Sequence, residues 1–164
     1  MPGFTDQLEA ILPDLWRYAF SLLRDRDGAD DLVQDSVERM LRKRPLWQSS
    51  RALRPWAFAI LRNIYRNQCR DGARRMALPL EAAATLGEPP QAEGRLDLAE
   101  TVARIAALPE DQREALLLVV AGGLSYKEAA QVLDIPMGTL MSRLSRARRR
   151  LAAEPVRPSL RSVS

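Results

Sequence analysis

LSYKEAAQVLDIPMGTLMSRLSRARRRL, residues 124–151, is the stretch whose reading decides the fold. Ser125-Tyr126-Lys127-Glu128 has the form of a capping box. The Ser125 hydroxyl can accept from the third helical amide, and the Glu128 carboxylate can reach back to the Ser125 amide. Ala129 and Ala130 are small enough for a second helix to cross closely. Asp134-Ile135-Pro136 then reads as a turn that buries one apolar residue and forces a new helical start. In the second helix Leu140, Leu144, Ala147 and Leu151 recur at steps of four, three and four and face inward. Thr139, Arg143, Arg146 and Arg150 form one outward column, and Ser142, Ser145 and Arg149 another. Five arginines follow Thr139 with no acidic residue among them. The spacing predicts a helix-turn-helix with a polar, basic outer face. Such a face can meet phosphates and base edges, or it can belong to a surface helix whose arginines meet only water. Cap, small pair, turn and basic face in succession favour the first reading.

Upstream the periodicity stays helical. Leu8, Ile11, Leu12, Leu15, Trp16, Ala19, Phe20 and Leu23 predict a helix over residues 4–24, in which Pro13 suits a start or a kink better than an unbroken interior. The next helix, residues 25–44, gathers acids at its beginning (Asp27, Asp30, Asp31) and bases at its end (Arg42, Lys43, Arg44), as the helix dipole favours. Leu32, Val33, Val37, Met40 and Leu41 form its apolar stripe; Gln34, Asp35, Glu38 and Arg39 form the free side. A third helix starts near Pro55, a good first-turn residue, and runs to about Arg75. Trp56, Ile60, Leu61 and Ile64 lie on one side of it, and Arg62, Asn63, Arg66, Asn67 and Arg70 on the other.

Residues 76–94 show no sustained period and carry several prolines and glycines, so they read as a flexible linker. Helical spacing resumes at Leu96, with Leu98, Val102, Ile105 and Ala106. It restarts after Leu108-Pro109, runs through Leu116–Val120 and stops at Gly122-Gly123. The expected fold class is all-α: two small helical domains, residues 1–75 and 95–153, joined by that linker. Residues 154–164 are expected to form a disordered tail.

Composition agrees. Hydrophobic residues make up 46% of the 164 and aromatics only 5%, a mix that suits packed helices better than sheets. The net charge of +4 is unevenly placed. Residues 51–75 hold seven arginines against Asp71, whereas residues 76–111 hold seven acids against Arg95 and Arg104. Two basic blocks flanking an acidic segment point to an acidic polymer as partner. With no histidine and a single cysteine, Cys69, neither a disulfide framework, nor a Cys/His zinc site, nor a histidine base can be assembled. Cys69 reads as an incidental thiol. No metal or cofactor is implied. No apolar run approaches a membrane span and no signal-peptide pattern opens the chain, so no membrane insertion and a cytoplasmic location are expected.

Residues 108–151 resemble region 4 of an extracytoplasmic-function sigma factor. DDLVQDSVERML (residues 30–41) resembles region 2.2 of that family, and RPWAFAILRNIYRNQCRD (residues 54–71) resembles regions 2.3–2.4. The segments stand in the family's order and cover nearly the whole chain apart from the tail. The wording of residues 112–130 leans towards the alphaproteobacterial general-stress branch. The resemblance implies a factor that binds core RNA polymerase and promoter DNA, under the control of an anti-sigma factor, with no catalytic activity of its own. Residue by residue, it implies −10 contacts from Trp56, Arg62, Asn63, Arg66, Asn67 and Arg70, with Asn63 holding an extruded base. Trp56 has a second reading as a core aromatic. The same resemblance implies polymerase docking through Asp31, Gln34, Asp35 and Glu38, and −35 contacts from Tyr126, Lys127, Thr139, Ser142, Arg143, Ser145, Arg146 and Arg149.

Three positions depart from the family pattern. Met141 stands where many relatives carry Lys or Arg, Val119 where some carry Arg, and Asp134 where glycine is frequent in the turn. Asp tolerates the left-handed conformation that the turn needs. A competing reading is a sigma-like decoy that titrates an anti-sigma factor without driving transcription, but a decoy needs neither set of arginines and normally carries a phosphoreceiver domain. An unrelated helix-turn-helix repressor leaves Asn63 and the acidic face of residues 27–44 unexplained. Scattered carboxylates without a histidine, a metal cluster or a phosphate loop form no recognisable enzyme site.

Overall fold

The computed structural model describes residues 2–47, 51–75 and 93–153, and these are almost entirely helical. The first lobe comprises α1 (Phe4–Leu23), α2 (Arg26–Lys43), a 3-10 turn (Arg44–Leu46) and α3 (Leu53–Arg75). The second comprises α4 (Glu93–Ala106), α5 (Glu110–Val120), α6 (Tyr126–Leu133) and α7 (Met137–Ala152). The tail over residues 154–164, and the linker up to residue 92, lie outside the described residues; α4 already begins at Glu93.

Local chemistry sets the ends of these helices. The Asp25 carboxylate accepts from the Gly28 amide at 2.9 Å and caps α2. The capping box before α6 forms as its spacing predicts, with Glu128 N donating to Ser125 Oγ and Ser125 N to Glu128 Oε2. Asp134 ends α6 at φ 52°, in the left-handed region, where it stands in for glycine. Pro13 lies inside α1 and not at its start. Both Pro13 and Glu9, whose carbonyl loses its donor there, are exposed, so water can satisfy that carbonyl. The apolar stripes hold in part. Leu32 and Met40 of α2 are buried, as are Leu140, Leu144 and Ala147 of α7, whereas Leu41 and Leu98 face solvent.

The two lobes share a seam. Buried side chains run without a break from Leu15 and Tyr18 of α1, through Phe58 of α3, to Leu118 of α5. Phe58, fully buried, lies against Tyr18 on one side and Gly122 on the other; a Cβ at Gly122 would come within 2.8 Å of the Phe58 ring. Arg54, one turn before Phe58 on α3, closes the seam. It donates to Asp14 Oδ2 at 2.6 Å and to the carbonyls of Gly122 and Gly123 at 2.9 and 3.0 Å. Those carbonyls follow the C-terminus of α5, where a cation also meets the negative end of the helix dipole. Two turns further along α3, Arg62 makes two hydrogen bonds to the Glu114 carboxylate of α5, at 3.3 and 3.0 Å.

The seam carries a pH signature. Burial of the Asp14 carboxyl works to raise its pKa, but the hydrogen bond and charge of Arg54, helped by Arg17, outweigh it and hold the pKa below 3.8. A depressed carboxylate contributes stability above its unfolded pKa and loses it as pH falls through the lower, folded value. Urea unfolding between pH 6 and 2.5 should therefore show a loss of stability below about pH 4 that Asp14→Asn reduces. An acid limb of equal steepness in the variant would remove Asp14 from the account.

Candidate nucleic-acid interface

The sequence places its candidates on four helices; α2, α3 and α7 each present an exposed face, and α6 contributes its first turn. On α2, Asp31, Gln34, Asp35 and Glu38 are all exposed and share one side at i, i+3, i+4 and i+7 spacing. Ser36 turns inward and satisfies itself by donating to the Leu32 carbonyl at 2.6 Å. The neighbouring Asp30 is occupied differently, accepting from the Trp16 indole at 2.7 Å. The acidic face thus stays free of internal partners among the contacts observed.

On α3 the candidates divide into two groups. Trp56, Asn63, Asn67 and Arg70 form a stripe along the helix, and Asn63, Asn67 and Arg70 are exposed. Trp56 is half-buried, with its ring edge-on to Phe4 at 6.2 Å, and with Pro55 and Ala59 it lines a cavity that Gln131 of α6 closes from the other lobe. Its aromatic face is therefore part core and part surface. Arg62 lies about 100° around the helix from Asn63 and is turned into the seam with Glu114; only 13% of its side chain is exposed. Arg66 and Arg70 line a cleft of about 450 Å³ between the lobes, opposite Glu110, Arg113 and Glu114 of α5. Tyr65 lines the same cleft, and burial, with a hydrogen bond to Cys69, pushes its pKa up to about 12. The acidic first half of α5 is thus set against the arginines of α3.

On α7, Thr139, Ser142, Arg146 and Arg149 are exposed, while Arg143 and Ser145 are half-buried. The helix packs against α4, α5 and α6, which leaves its outer face open. Arg143 lies 3.9 Å from Asp111 at the start of α5, a long contact that steers the side chain more than it holds it. At the entrance to α6, Lys127 is exposed and Tyr126 half-buried. The Tyr126 hydroxyl accepts from Arg148 at 2.8 Å, and the guanidinium also lies over the Tyr126 ring at 6.0 Å. Arg148 and Arg54 were not among the residues singled out by sequence. For Arg54 the available signal is the column Arg54–Phe58–Arg62, spaced four and four, which marks a second buried face on α3.

No group of histidines, cysteines or carboxylates among the described residues is arranged to hold a metal ion. No helix among them is long and apolar enough to cross a membrane.

Comparison with known proteins is consistent across the chain. The family description "Sigma-70 region 2" matches residues 8–75, and "Sigma-70, region 4" matches residues 98–151. The chain is 40% identical over 149 residues to the ECF RNA polymerase sigma factor EcfG of Rhodopseudomonas palustris, covering 90% of this chain and 82% of the relative. It is 36% identical over 155 residues to the ECF RNA polymerase sigma factor SigC of Mycobacterium tuberculosis, covering 90% and 80%. Among solved structures it superposes, with a TM-score of 0.74 and 36% identity, on the sigma factor RpoE of Bartonella quintana in complex with the anti-sigma factor NepR, covering 90% of this chain and 93% of that one.

The Arg62–Glu114 pair yields a direct test of the seam. A double-mutant cycle with Arg62→Ala and Glu114→Ala, read by urea unfolding, should give a coupling of about 1–2 kcal/mol, typical of charge-assisted hydrogen bonds that are partly screened. Additive single effects would mean that the pair does not hold the lobes together.

Proposed function

Since the chain belongs to the extracytoplasmic-function sigma factors of the sigma-70 family, we propose that it joins core RNA polymerase in the cytoplasm and directs it to stress promoters. The acidic face of α2 is the docking surface for polymerase. The Asn63 stripe of α3 takes the −10 element as it opens, and the outer face of α7 takes the −35 element in the major groove. The exposure of all three faces, in the order that the family places them, carries this reading.

The chemistry fits each task. An amide such as that of Asn63 can pair with the edge of an unstacked base, while Arg66 and Arg70 neutralise the backbone of a single strand. On α7, Ser142, Ser145 and Arg146 present short donors and a guanidinium to base edges, and Arg149 and Lys127 serve as phosphate anchors. None of these steps makes or breaks a covalent bond, so the chain works as a specificity factor and polymerase does the chemistry.

The packed lobes describe the resting form. Elements centred about 25 base pairs apart lie roughly 85 Å apart, too far for two lobes that share one seam. Residues 76–92 span about 60 Å at most when extended, enough for the lobes to separate to the two elements. In the resting form Arg62 is bound to Glu114, and Arg66 and Arg70 face carboxylates, so the free protein binds DNA weakly. RpoE of Bartonella quintana is found with an anti-sigma factor; a partner of that kind would hold this chain in an inactive form until stress releases it.

Adding the chain to core polymerase on genomic templates should give transcripts starting at a shared pair of elements. Asn63→Ala should lower the yield of open −10 complexes while −35 binding survives. Arg146→Ala should weaken −35 recognition by about 1–3 kcal/mol if it reads a base. Binding to an anti-sigma factor without any promoter-specific transcript would favour the decoy instead.

A further inference from the structure

Met141 is an apolar residue on an otherwise polar recognition helix, and it is 52% exposed. Single exposed apolar side chains are ordinary on protein surfaces, so exposure alone carries nothing. Its position says more. Met141 lies on the flank of α7 that turns towards α6, between Ser142 and Ser145 on the outer face and the Tyr126–Arg148 pair at the start of α6. Met137, one turn earlier on this flank, lines the depression around Ile135 and Pro136 and so leans on the turn. Met141 is the more exposed of the two.

Resting on the reading of α7 as the −35 helix, we infer that Met141 is a specificity-determining residue that reads the C5-methyl group of a thymine. The major-groove edges of the bases offer hydrogen-bond donors and acceptors, and thymine alone adds an apolar group. That methyl projects beside the backbone of its own strand, towards the wall of the groove. When α7 enters the groove, the flank next to α6 faces a wall, because the start of α6 meets the backbone there. An unbranched thioether with three rotatable bonds adapts to a methyl in that place. A lysine or arginine at this position would instead reach for a phosphate or for guanine. Met141 therefore offers, in place of a phosphate or guanine contact, one that distinguishes thymine from the other bases.

The test uses the full chain with core polymerase. The −35 element is taken from the transcripts that the wild type initiates. Each thymine of that element, on either strand, is then replaced singly by deoxyuridine, which removes only the methyl group. At one position the substitution should lower open-complex formation by the wild type about fourfold, the value of one buried methyl group. Met141→Ala should respond equally to thymine and deoxyuridine at that position, while keeping wild-type sensitivity to substitutions elsewhere in the element. Absence of any thymine-to-deoxyuridine effect, or an effect that persists undiminished in Met141→Ala, would overturn the assignment. A loss caused by Met141→Ala that is equal on both templates at every position would overturn it too, and would point to a protein contact or a structural role. Absence of any promoter-specific transcript would overturn the sigma-factor reading itself, and this assignment with it.

Discussion

Arg54 is the constraint on which the arrangement of this molecule depends. One guanidinium joins the Asp14 carboxylate of the first lobe to the Gly122 and Gly123 carbonyls of the second, and lies over the Phe58 ring at 5.6 Å. Without it the part-buried Gly122 carbonyl would lose its side-chain donor, a loss of about 1–3 kcal/mol, and Asp14 would keep only Arg17. The contact of Phe58 with Gly122 sets how closely α3 approaches the turn between α5 and α6, while Arg54 and Arg62 tie α3 to the two ends of that approach. Every candidate face on α3 takes its surroundings from that approach.

A seam of this kind suits a protein that must change shape to act. Two charge-assisted clamps sit beside an apolar core that runs across the seam, and a closing free energy of about 3 kcal/mol would leave the open form near 1%. A protein interface of nanomolar affinity is worth about 12 kcal/mol, so docking to polymerase can supply the opening cost and retain most of its binding energy. The same figures apply to a partner that prefers the closed lobes or wedges into the cleft lined by Tyr65 and Leu117. The carboxylates of α5 have a second effect. Glu110 and Glu114 lie opposite Arg62, Arg66 and Arg70; with α3 as the proposed −10 face, closure and DNA binding would compete for the same guanidinium groups.

Much of the helix-turn-helix was legible before any coordinates, because its signals are local. The capping box, the left-handed Asp134 and the four-three spacing of Leu140, Leu144 and Ala147 each report on residues within two turns of one another. The exposed side of α2 was legible for the same reason. What local patterns do not report is which surface meets which. Arg62 belongs by type with the basic residues beside Asn63, yet it points into the seam, because Glu114, 52 residues away in sequence, is placed there by the fold. Phe58 was hidden likewise, since the stripe of Trp56, Ile60 and Ile64 already accounts for one core face, and the second face exists only for the other lobe. Pro13 shows the opposite limit, for a helix tolerates a residue that its propensity rejects when the orphaned carbonyl faces water.

The lobes rest together, and the proposed function requires them to part. Ala52 and Gln131 are exposed and line one cavity from opposite sides of the seam, and neither is assigned to a binding face. In a Cys69→Ser background, cysteines at these two positions can be joined by a short reducible bismaleimide. The joined protein should lose promoter-directed transcription with core polymerase by at least about tenfold, a closing bias of 1.4 kcal/mol or more, and a reductant should restore it. Transcription by the joined protein at the level of the unjoined variant would contradict the account.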